Sequence, residues 1–469
     1  MNVEITFPPC MAQPSPIPAA HPSKPPGPHG NLLTGNFREL RQDALSFLTR
    51  CAQEYGDIVR YRLVTFYGYL LNHPDYVEEV LVNNSKNFIK GRGLRANRAL
   101  FGEGLLTSEG EVWLEKRRIA QPAFHPRRID EYGQLILPHV TTALSGWRDG
   151  TERDIAADMM SVTLQIAAKA FFGADLADQI PGFQLAFEEI SRQNAGRTRL
   201  FHLPDMIPTP ANVRYNRAVH TLDSVVYRII RCRRAQRRHN DDLLSMLLQA
   251  HDEAGGRTSE RQLRDDAMTF LLAGHETTAL TLSWAWYLLA QNPQAELQLV
   301  EELKRVLAGR MPAVQDLAYL PYTEAVIKET MRLYPPAWLM VRQSVNDCRI
   351  GCYRIPAGSS VVFSQWVLHR DPRYFEAPQA FRPERWLDGL EKRLPRFAYF
   401  PFGGGPRLCI GAPFALMEAC LLLAAIASQF HFDLLPWPVV PMAAITLRPK
   451  FGIRVRLSRR QPTNSLRTN

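Results

Sequence analysis

The sequence predicts a mainly α-helical fold with a small β-rich part. Apolar residues recur at helical spacing over much of the chain, for example from Ile129 to Trp147 and from Ile155 to Phe172. Strand patterns are few and short. Ile58 to Leu71 is rich in β-branched and aromatic residues, with a hairpin turn expected at Tyr67-Gly68, and Cys348 to Val362 is typical of strands and turns. Ile445 to Leu457 alternates and is predicted to form a terminal hairpin. The chain has 469 residues, 46% of them apolar, which is ample for a large buried core.

The two ends of the chain are predicted to be tails. Residues 1–30 contain nine prolines and no long apolar run, which indicates a proline-rich mobile tail without a secretory signal or membrane anchor. Residues 459–469 are polar and are predicted to form a C-terminal tail. The net charge is +10, but no zinc finger, RNP motif or basic-zipper pattern is present, so nucleic acid is not expected as a partner. The seven scattered cysteines are expected to be reduced thiols, as in a cytoplasmic protein.

A long helix is predicted near the middle of the chain. Ser259 with Gln262 three residues later is typical of a capping box, and Asn292-Pro293 should end the helix. Its second half is apolar enough to resemble a membrane span, but an acid such as Glu276 would be costly in lipid. The hydroxyl of Thr277 can bond back to the carbonyl one turn earlier, which would loosen the helix locally and open space for water.

A glycine-rich loop from Phe402 to Gly411 contains Cys409, and a helical segment follows from Ala412. Glycine lets a backbone pass close to a flat ligand, and a thiolate is the form of cysteine that binds metal. A nearby cation and a helix N-terminus favour the thiolate, and Arg407 is the expected cation. A single loop cysteine is usually structural, but here the pattern F-x-x-G-x-R-x-C-x-G specifies five positions and all are met. Cys409 is therefore a candidate metal ligand.

This pattern resembles the haem-binding signature of the cytochromes P-450. Four more patterns resemble the same family in its order: W-x-x-x-R, A-G-x-acid-T-T, E-x-x-R and P-E-R. The resemblance spans roughly Pro25 to Leu457 and implies the cytochrome P-450 fold, with a single haem domain over residues 31–458. It further implies haem b (iron protoporphyrin IX) between the long helix and the cysteine loop, with Cys409 as the axial iron ligand.

The resemblance also implies which residues surround the haem. Trp113 and Arg117 lie four apart, on one helix face, and match the W-x-x-x-R motif whose members bind a haem propionate. Arg407 is expected to bind the cofactor, and Arg342 is a candidate for a second propionate contact. Ala273 and Gly274 should provide the small surface above the haem, with Glu276 and Thr277 as the catalytic pair that delivers protons.

A charge network is expected to support the haem loop. Glu329 and Arg332 are three residues apart on a predicted helix, and an exposed pair of this kind contributes little. In the family, however, this pair is buried and joined by the arginine of the P-E-R motif, which is Arg385 here. We therefore predict a structural role for Glu329, Arg332 and Arg385.

The implied reaction inserts one oxygen atom of O₂ into a lipophilic small molecule such as a fatty acid, terpenoid, polyketide or steroid. Electrons are expected from a separate ferredoxin or flavodoxin with its reductase, because no such module is appended. Four arginines at 117, 118, 127 and 128 are expected near the face behind Cys409, where they would steer an acidic electron carrier. The protein is expected to be soluble and cytoplasmic.

Two alternatives remain open. A haem-thiolate isomerase, dehydratase or peroxygenase would need no electron supply, but such members usually lose the acid–threonine pair, which is intact at Glu276-Thr277. A non-catalytic haem sensor or carrier has no positive support in the sequence.

Overall fold

The computed structural model describes residues 24–194, 208–236, 242–253 and 259–460. The α-helices in these ranges are α1 Phe37–Gln42, α2 Ala44–Tyr55, α3 Pro74–Glu78, α4 Arg92–Arg95, α5 Arg98–Phe101, α6 Gly110–Ala120, α7 Pro126–Ser145, α8 Ile155–Phe172, α9 Ile180–Asn194, α10 Pro210–Gln236, α11 Leu243–Glu253, α12 Glu260–Gln291, α13 Pro293–Leu307, α14 Pro321–Leu333, α15 Gln365–Leu368, α16 Leu390–Arg393 and α17 Ala412–Ala427. The strands are β1 Ile58–Leu63, β2 Phe66–Leu71, β3 Phe88–Lys90, β4 Glu152–Asp154, β5 Met340–Ser344, β6 Cys348–Ile350, β7 Tyr353–Ile355, β8 Ser360–Phe363, β9 Phe430–Leu434, β10 Pro441–Ala443, β11 Leu447–Pro449 and β12 Arg454–Arg459.

The helix α12 is the centre of the helical core. It packs mainly along α8 and also against α10, α14 and α17. Its N-cap is Ser259, whose hydroxyl accepts a hydrogen bond from the backbone N–H of Gln262 at 3.3 Å, so the predicted start is confirmed. Its last residue, Gln291, lies two before Pro293, in agreement with the predicted end.

Within the described ranges, α8 is the one helix that is both long and apolar enough to cross a membrane. In the structure, 72% of this helix is buried inside the protein. Its composition is therefore that of a core helix that packs along α12.

The strands form one five-stranded sheet in the order β1-β2-β8-β5-β3 and three small sheets. Strands β2 and β8 are parallel, and the other pairs of this sheet are antiparallel. The hairpin turn predicted at Tyr67-Gly68 is wrong, because the β1–β2 turn lies at residues 64–65. Gly68 instead faces Tyr61 across the hairpin, where a Cβ would come within 2.5 Å of the phenol ring.

Parts of both predicted tails belong to the folded domain. The carbonyl of Pro26 accepts a hydrogen bond from the backbone N–H of Arg60 at 2.8 Å, so residues 24–30 lie against β1 and belong to the folded domain. At the other end, β12 includes Arg459, and the N–H of Arg460 donates to the carbonyl of Gln429 at 2.8 Å. Residues 1–23 and 461–469 lie outside the described residues.

The terminal hairpin consists of β10, β11 and the turn of residues 444–446 between them. The predicted hairpin over Ile445 to Leu457 is wrong in its bounds, because β12 pairs with β4 and β9 instead. The N–H of Leu447 donates to the carbonyl of Pro336 at 2.9 Å. The indoles of Trp284 and Trp338 donate to the carbonyls of Leu447 and Ala444 at 3.0 and 3.1 Å. The hairpin is therefore held against both α12 and the segment before β5.

Candidate active site

A small accessible stripe interrupts the buried surface of α12. From Leu263 to Trp286 every residue is buried except Ala273, Gly274 and Thr277. These three residues lie on one side of the helix because Thr277 is three residues after Gly274 and four after Ala273, and such spacings place side chains on one helix face. Between Leu263 and Trp286, α12 is therefore accessible at this stripe alone.

The hydroxyl of Thr277 donates to the carbonyl of Ala273 at 3.0 Å, as the sequence predicts. This bond places the hydroxyl oxygen at the stripe, where its lone pairs remain available as acceptors. Gly274, which is partly accessible at the stripe, also has a role that the sequence did not indicate. A Cβ at this position would come within 2.7 Å of the Phe171 ring, so the glycine allows α8 and α12 to approach closely.

Glu276 lies beside the stripe and is only 4% exposed. The hydroxyl of Thr446, from the terminal hairpin, donates to its Oε1 at 2.6 Å. Burial raises the pKa of Glu276 above its ordinary value, while the guanidinium of Arg448 and the hydrogen bond from Thr446 oppose that rise. Sequence reasoning missed Thr446 and Arg448, because no local pattern connects the hairpin with α12.

The loop that carries Cys409 has a backbone that few residues other than glycine would tolerate. Gly403 and Gly405 have φ angles of 74° and 66°, and a Cβ on Gly405 would overlap the carbonyl oxygen of Leu81. The N–H of Cys409 donates back to the carbonyl of Phe402 at 3.1 Å. The loop therefore closes on itself just ahead of α17.

Cys409 is accessible and at the same time surrounded by protein. The residue has accessible surface, and yet burial raises the pKa of its thiol. Backbone N–H groups of Gly411 and Ala412 and the guanidinium of Arg117 oppose this rise. The cation expected to favour the thiolate was Arg407, whereas the structure assigns this effect to Arg117.

Trp113 and Arg117 both reach the cysteine loop, but at different points. Arg117 donates through Nη1 to the carbonyl of Leu408 at 2.9 Å. The ring of Trp113 lies beneath the guanidinium of Arg407, 4.1 Å from its centre. Arg407 also donates to the carbonyl of Ser108 at 2.8 Å and pairs with the carboxylate of Glu109. These contacts attach the helix α6 to Arg407 and Leu408, the two loop residues that directly precede Cys409.

Three cations, Lys90, Arg342 and Arg407, lie around the carboxylate of Glu109. Burial, above all, lowers the pKa of Lys90, and Arg342 and Arg407 lower it further. The pKa of Arg342 is lowered to about 10, first by burial and then by Arg407. Glu109 opposes these shifts and accepts a hydrogen bond from the N–H of Lys90 at 2.5 Å. Arg342 is only 6% exposed, and its Nη2 has no hydrogen-bond partner within the described chain. Sequence reasoning missed Lys90, which ends the short strand β3, because no motif includes it.

These observations fit a haem. An accessible cysteine follows a glycine loop, and a thiolate is a ligand for haem iron. The surplus of positive charge and the unpaired Nη2 of Arg342 suit an anion, and the propionates of haem are carboxylates. A metal that binds a thiol replaces its proton, so the raised pKa of Cys409 is compatible with ligation.

The charge network predicted from the sequence is assembled around a completely buried pair, Glu329 and Arg332. Arg332 donates to both carboxylate oxygens of Glu329 at 2.8 Å, and neither side chain is exposed. Arg385 adds a bond from Nε to Oε1 of Glu329 at 3.1 Å. The indole of Trp386 and the N–H of Arg382 also donate to Glu329, at 2.9 and 3.0 Å, and sequence reasoning did not include them.

The arginines expected to form a docking patch are partly neutralised. Arg127 and Arg128 both pair with the carboxylate of Glu131, at 3.4 and 2.5 Å. Arg118 and Arg127 are exposed, whereas Arg117 is half-buried against the cysteine loop. The net positive charge at this place is therefore smaller than the arginines alone indicate.

Comparisons with known proteins agree with this geometry. The sequence profile of the family described as Cytochrome P450 matches residues 25–453. Cyclooctatin synthase of Streptomyces melanosporofaciens is 36% identical over 90% of this chain and 91% of its own length. Cyclooctat-9-en-7-ol 5-monooxygenase of the same organism is 35% identical, over 91% and 95%. Pentalenene oxygenase of Streptomyces avermitilis is 32% identical, over 92% and 96%. The chain therefore belongs to the cytochrome P-450 family and is a haem-thiolate monooxygenase.

Proposed function

We propose that this monooxygenase hydroxylates a lipophilic terpenoid, with Thr277 and Glu276 delivering protons at the accessible stripe of α12. The observation that carries the proposal is the position of Thr277. Its hydroxyl lies at the accessible stripe of α12, and the next residue before it in the chain is the buried acid Glu276. The terpenoid class is chosen because relatives over most of the chain are named for cyclooctat-9-en-7-ol and pentalenene.

The proposed substrate site is apolar. Ala337, Leu339 and Met340 precede or begin β5 and keep partly accessible side chains. Phe270, Leu271 and Trp338 are also apolar residues of these segments, but they are buried in the protein core. An apolar lining favours a lipophilic molecule because contact removes apolar surface from water.

Cys409 is proposed as the axial ligand of haem, which supplies the chemistry of O₂ when it is bound. Haem b is the proposed form, because the sequence has no C-x-x-C-H pattern for covalent attachment. Lys90, Arg342 and Arg407 would hold the propionates, together with Trp113 and Arg117. Thr277 would accept a hydrogen bond at the stripe and pass on a proton, and Glu276 would resupply that proton.

Thr277→Ala tests this role. The variant should bind haem and keep the spectrum of the reduced, CO-bound protein, because Thr277 touches neither the cysteine loop nor the cation cluster. Electron consumption should continue while product falls by about tenfold, and hydrogen peroxide should account for the difference. The measurement is the ratio of product and peroxide to NAD(P)H consumed in a reconstituted system.

Two other variants make this result specific. Thr277→Ser should restore most of the coupling because it returns the hydroxyl. Thr281→Val removes a buried hydroxyl one turn later, which donates to the carbonyl of Thr277, and should leave coupling near that of the wild type. Native coupling in Thr277→Ala would contradict the proposed proton route and favour a peroxygenase.

We expect an acidic ferredoxin or flavodoxin as the electron donor. Arg127→Glu with Arg128→Glu should slow reduction by such a carrier by about tenfold at low ionic strength, because the reversed charges and Glu131 would repel it. Stopped-flow reduction over a range of salt concentrations measures this effect. Arg454→Glu with Arg456→Glu, at two exposed positions on β12, reverses the same number of charges and is the control for net charge. Reduction that responds equally to both changes would place the docking site elsewhere.

The cytoplasmic location remains a prediction.

A further inference from the structure

The carboxyl of Glu276 is held by a residue that follows 170 positions later in the chain. Thr446 donates to Oε1 at 2.6 Å, and both side chains are buried, at 7% and 4% exposure. Because Oε1 is the acceptor of this bond, a proton on the carboxyl is left to Oε2. Oε2 makes no hydrogen bond to any of the residues that the structure describes.

Arg448, two residues further on, is the charged side chain that acts on this carboxyl. Its guanidinium lies over the ring of Phe187 on α9, 5.8 Å from the centre, and its buried Nη1 has no hydrogen-bond partner among the described residues. Arg448 lowers the pKa of both Glu276 and the neighbouring His275. His275 is neutral near pH 7, because burial, above all, lowers its pKa to about 4. It therefore adds no charge of its own.

The turn that carries Thr446 is rigidly placed. Backbone groups of Ala444 and Leu447, on either side of it, accept hydrogen bonds from two tryptophan indoles, and Leu447 also donates to Pro336. Within the turn, the N–H of Ala444 donates to the carbonyl of Thr446 at 3.1 Å. The hydroxyl of Thr446 is thus presented to Glu276 by a fixed backbone.

We propose that the terminal hairpin controls proton delivery by Glu276: Thr446 positions the carboxyl so that Oε2 carries the transferable proton, and Arg448 balances the negative charge left when that proton leaves. This inference rests on the proposed role of Glu276. Thr446 and Arg448 are positioning residues in this scheme, since they act through the carboxyl.

The transfer balances without any further reagent. The O–H bond at Oε2 breaks and its proton moves toward the hydroxyl of Thr277, directly or through water, leaving Glu276 as a carboxylate. Arg448 stays protonated throughout and stabilises this carboxylate. A proton from solvent then restores the acid.

The test compares matched variants of the holoenzyme. Thr446→Val keeps the shape of the side chain and removes the donor, whereas Thr446→Ser returns the donor. Arg448→Gln removes the charge, and Arg448→Lys returns it. Arg456→Gln removes a positive charge from an exposed position on β12 and is the control for net charge. Infrared difference spectra over a pH series follow the protonated carboxyl, whose band is assigned by its loss in Glu276→Gln.

Thr446→Val and Arg448→Gln should each move the titration midpoint of Glu276 upward, because the hydrogen bond and the cation both lower its pKa. Serine and lysine should bring the midpoint back toward that of the wild type. Since the acid then holds its proton more firmly, turnover should slow by about tenfold, without the increase in peroxide expected for Thr277→Ala.

A midpoint that stays at the wild-type value in Thr446→Val would overturn the proposal. If Thr446→Val does not fold, Arg448→Gln and Arg448→Lys provide the test. Equal titration midpoints of Glu276 in these two variants would overturn the proposal as well. Failure of the proposed function is distinguishable: native coupling in Thr277→Ala would reject the proton route but would not change the infrared midpoints.

Discussion

Glu329→Ala should give a protein that unfolds easily and retains little haem. The substitution removes the acceptor of two bonds from Arg332, and it also strands donors of Arg385, Trp386 and Arg382. Breaking a buried ion pair from one side costs about 3–5 kcal/mol, because a desolvated charge is left without its partner. Urea titration gives the change in the free energy of unfolding, and the absorbance ratio of haem to protein gives the haem content.

The same helix offers a matched control for this prediction. Glu324 pairs with Lys328 at 2.9 Å, but its side chain is 47% exposed. Glu324→Ala should therefore cost less than about 1 kcal/mol. A Glu329→Ala protein that is fully loaded with haem and as stable as the Glu324→Ala protein would show that the buried network does not support the haem loop.

Cys409→Ala should abolish the strongly red-shifted Soret band that a thiolate ligand gives to the reduced, CO-bound protein. Alanine has no atom that can bind iron, and loss of a metal ligand is among the few single changes with very large effects. Any haem that remains would have to take another axial ligand. Monooxygenase activity should fall below detection.

Cys420→Ala is the control, since Cys420 lies on α17, eleven residues after Cys409, and is buried in the core. This change removes one sulfur from a packed site and should cost about 1 kcal/mol or less, without altering the spectrum. Persistence of the red-shifted band in Cys409→Ala would refute the ligand assignment.

Much of the architecture was predictable because it depends on local interactions. The ends of α12 follow from a capping hydroxyl at Ser259 and from Pro293, and the bond from Thr277 to Ala273 spans a single helical turn. The motif spacing around Cys409 and the pairing of Glu329 with Arg332 are equally local. Such features are encoded by neighbours in the chain.

Glycines were predicted less well, because their reason lies in a partner that the sequence does not reveal. Gly68 was expected to form a turn, but it lies on β2 and leaves space for the ring of Tyr61 on the neighbouring strand β1. For Gly274 the sequence indicated a small surface above a haem, and the structure adds a second reason, because the glycine lets Phe171 approach α12. In both cases an aromatic ring from another element occupies the space that a Cβ would need.

The sequence by itself determined the family, the mainly helical fold and the set of residues that could do the chemistry. The tertiary structure alone decided which groups act on them: Arg117 rather than Arg407 beside Cys409, Lys90 in the cation cluster, and Thr446 and Arg448 beside Glu276. The physical reason is distance along the chain. Helical periodicity and caps act over a few residues, whereas the electrostatic environment of a buried group depends on packing between elements that can be 170 residues apart.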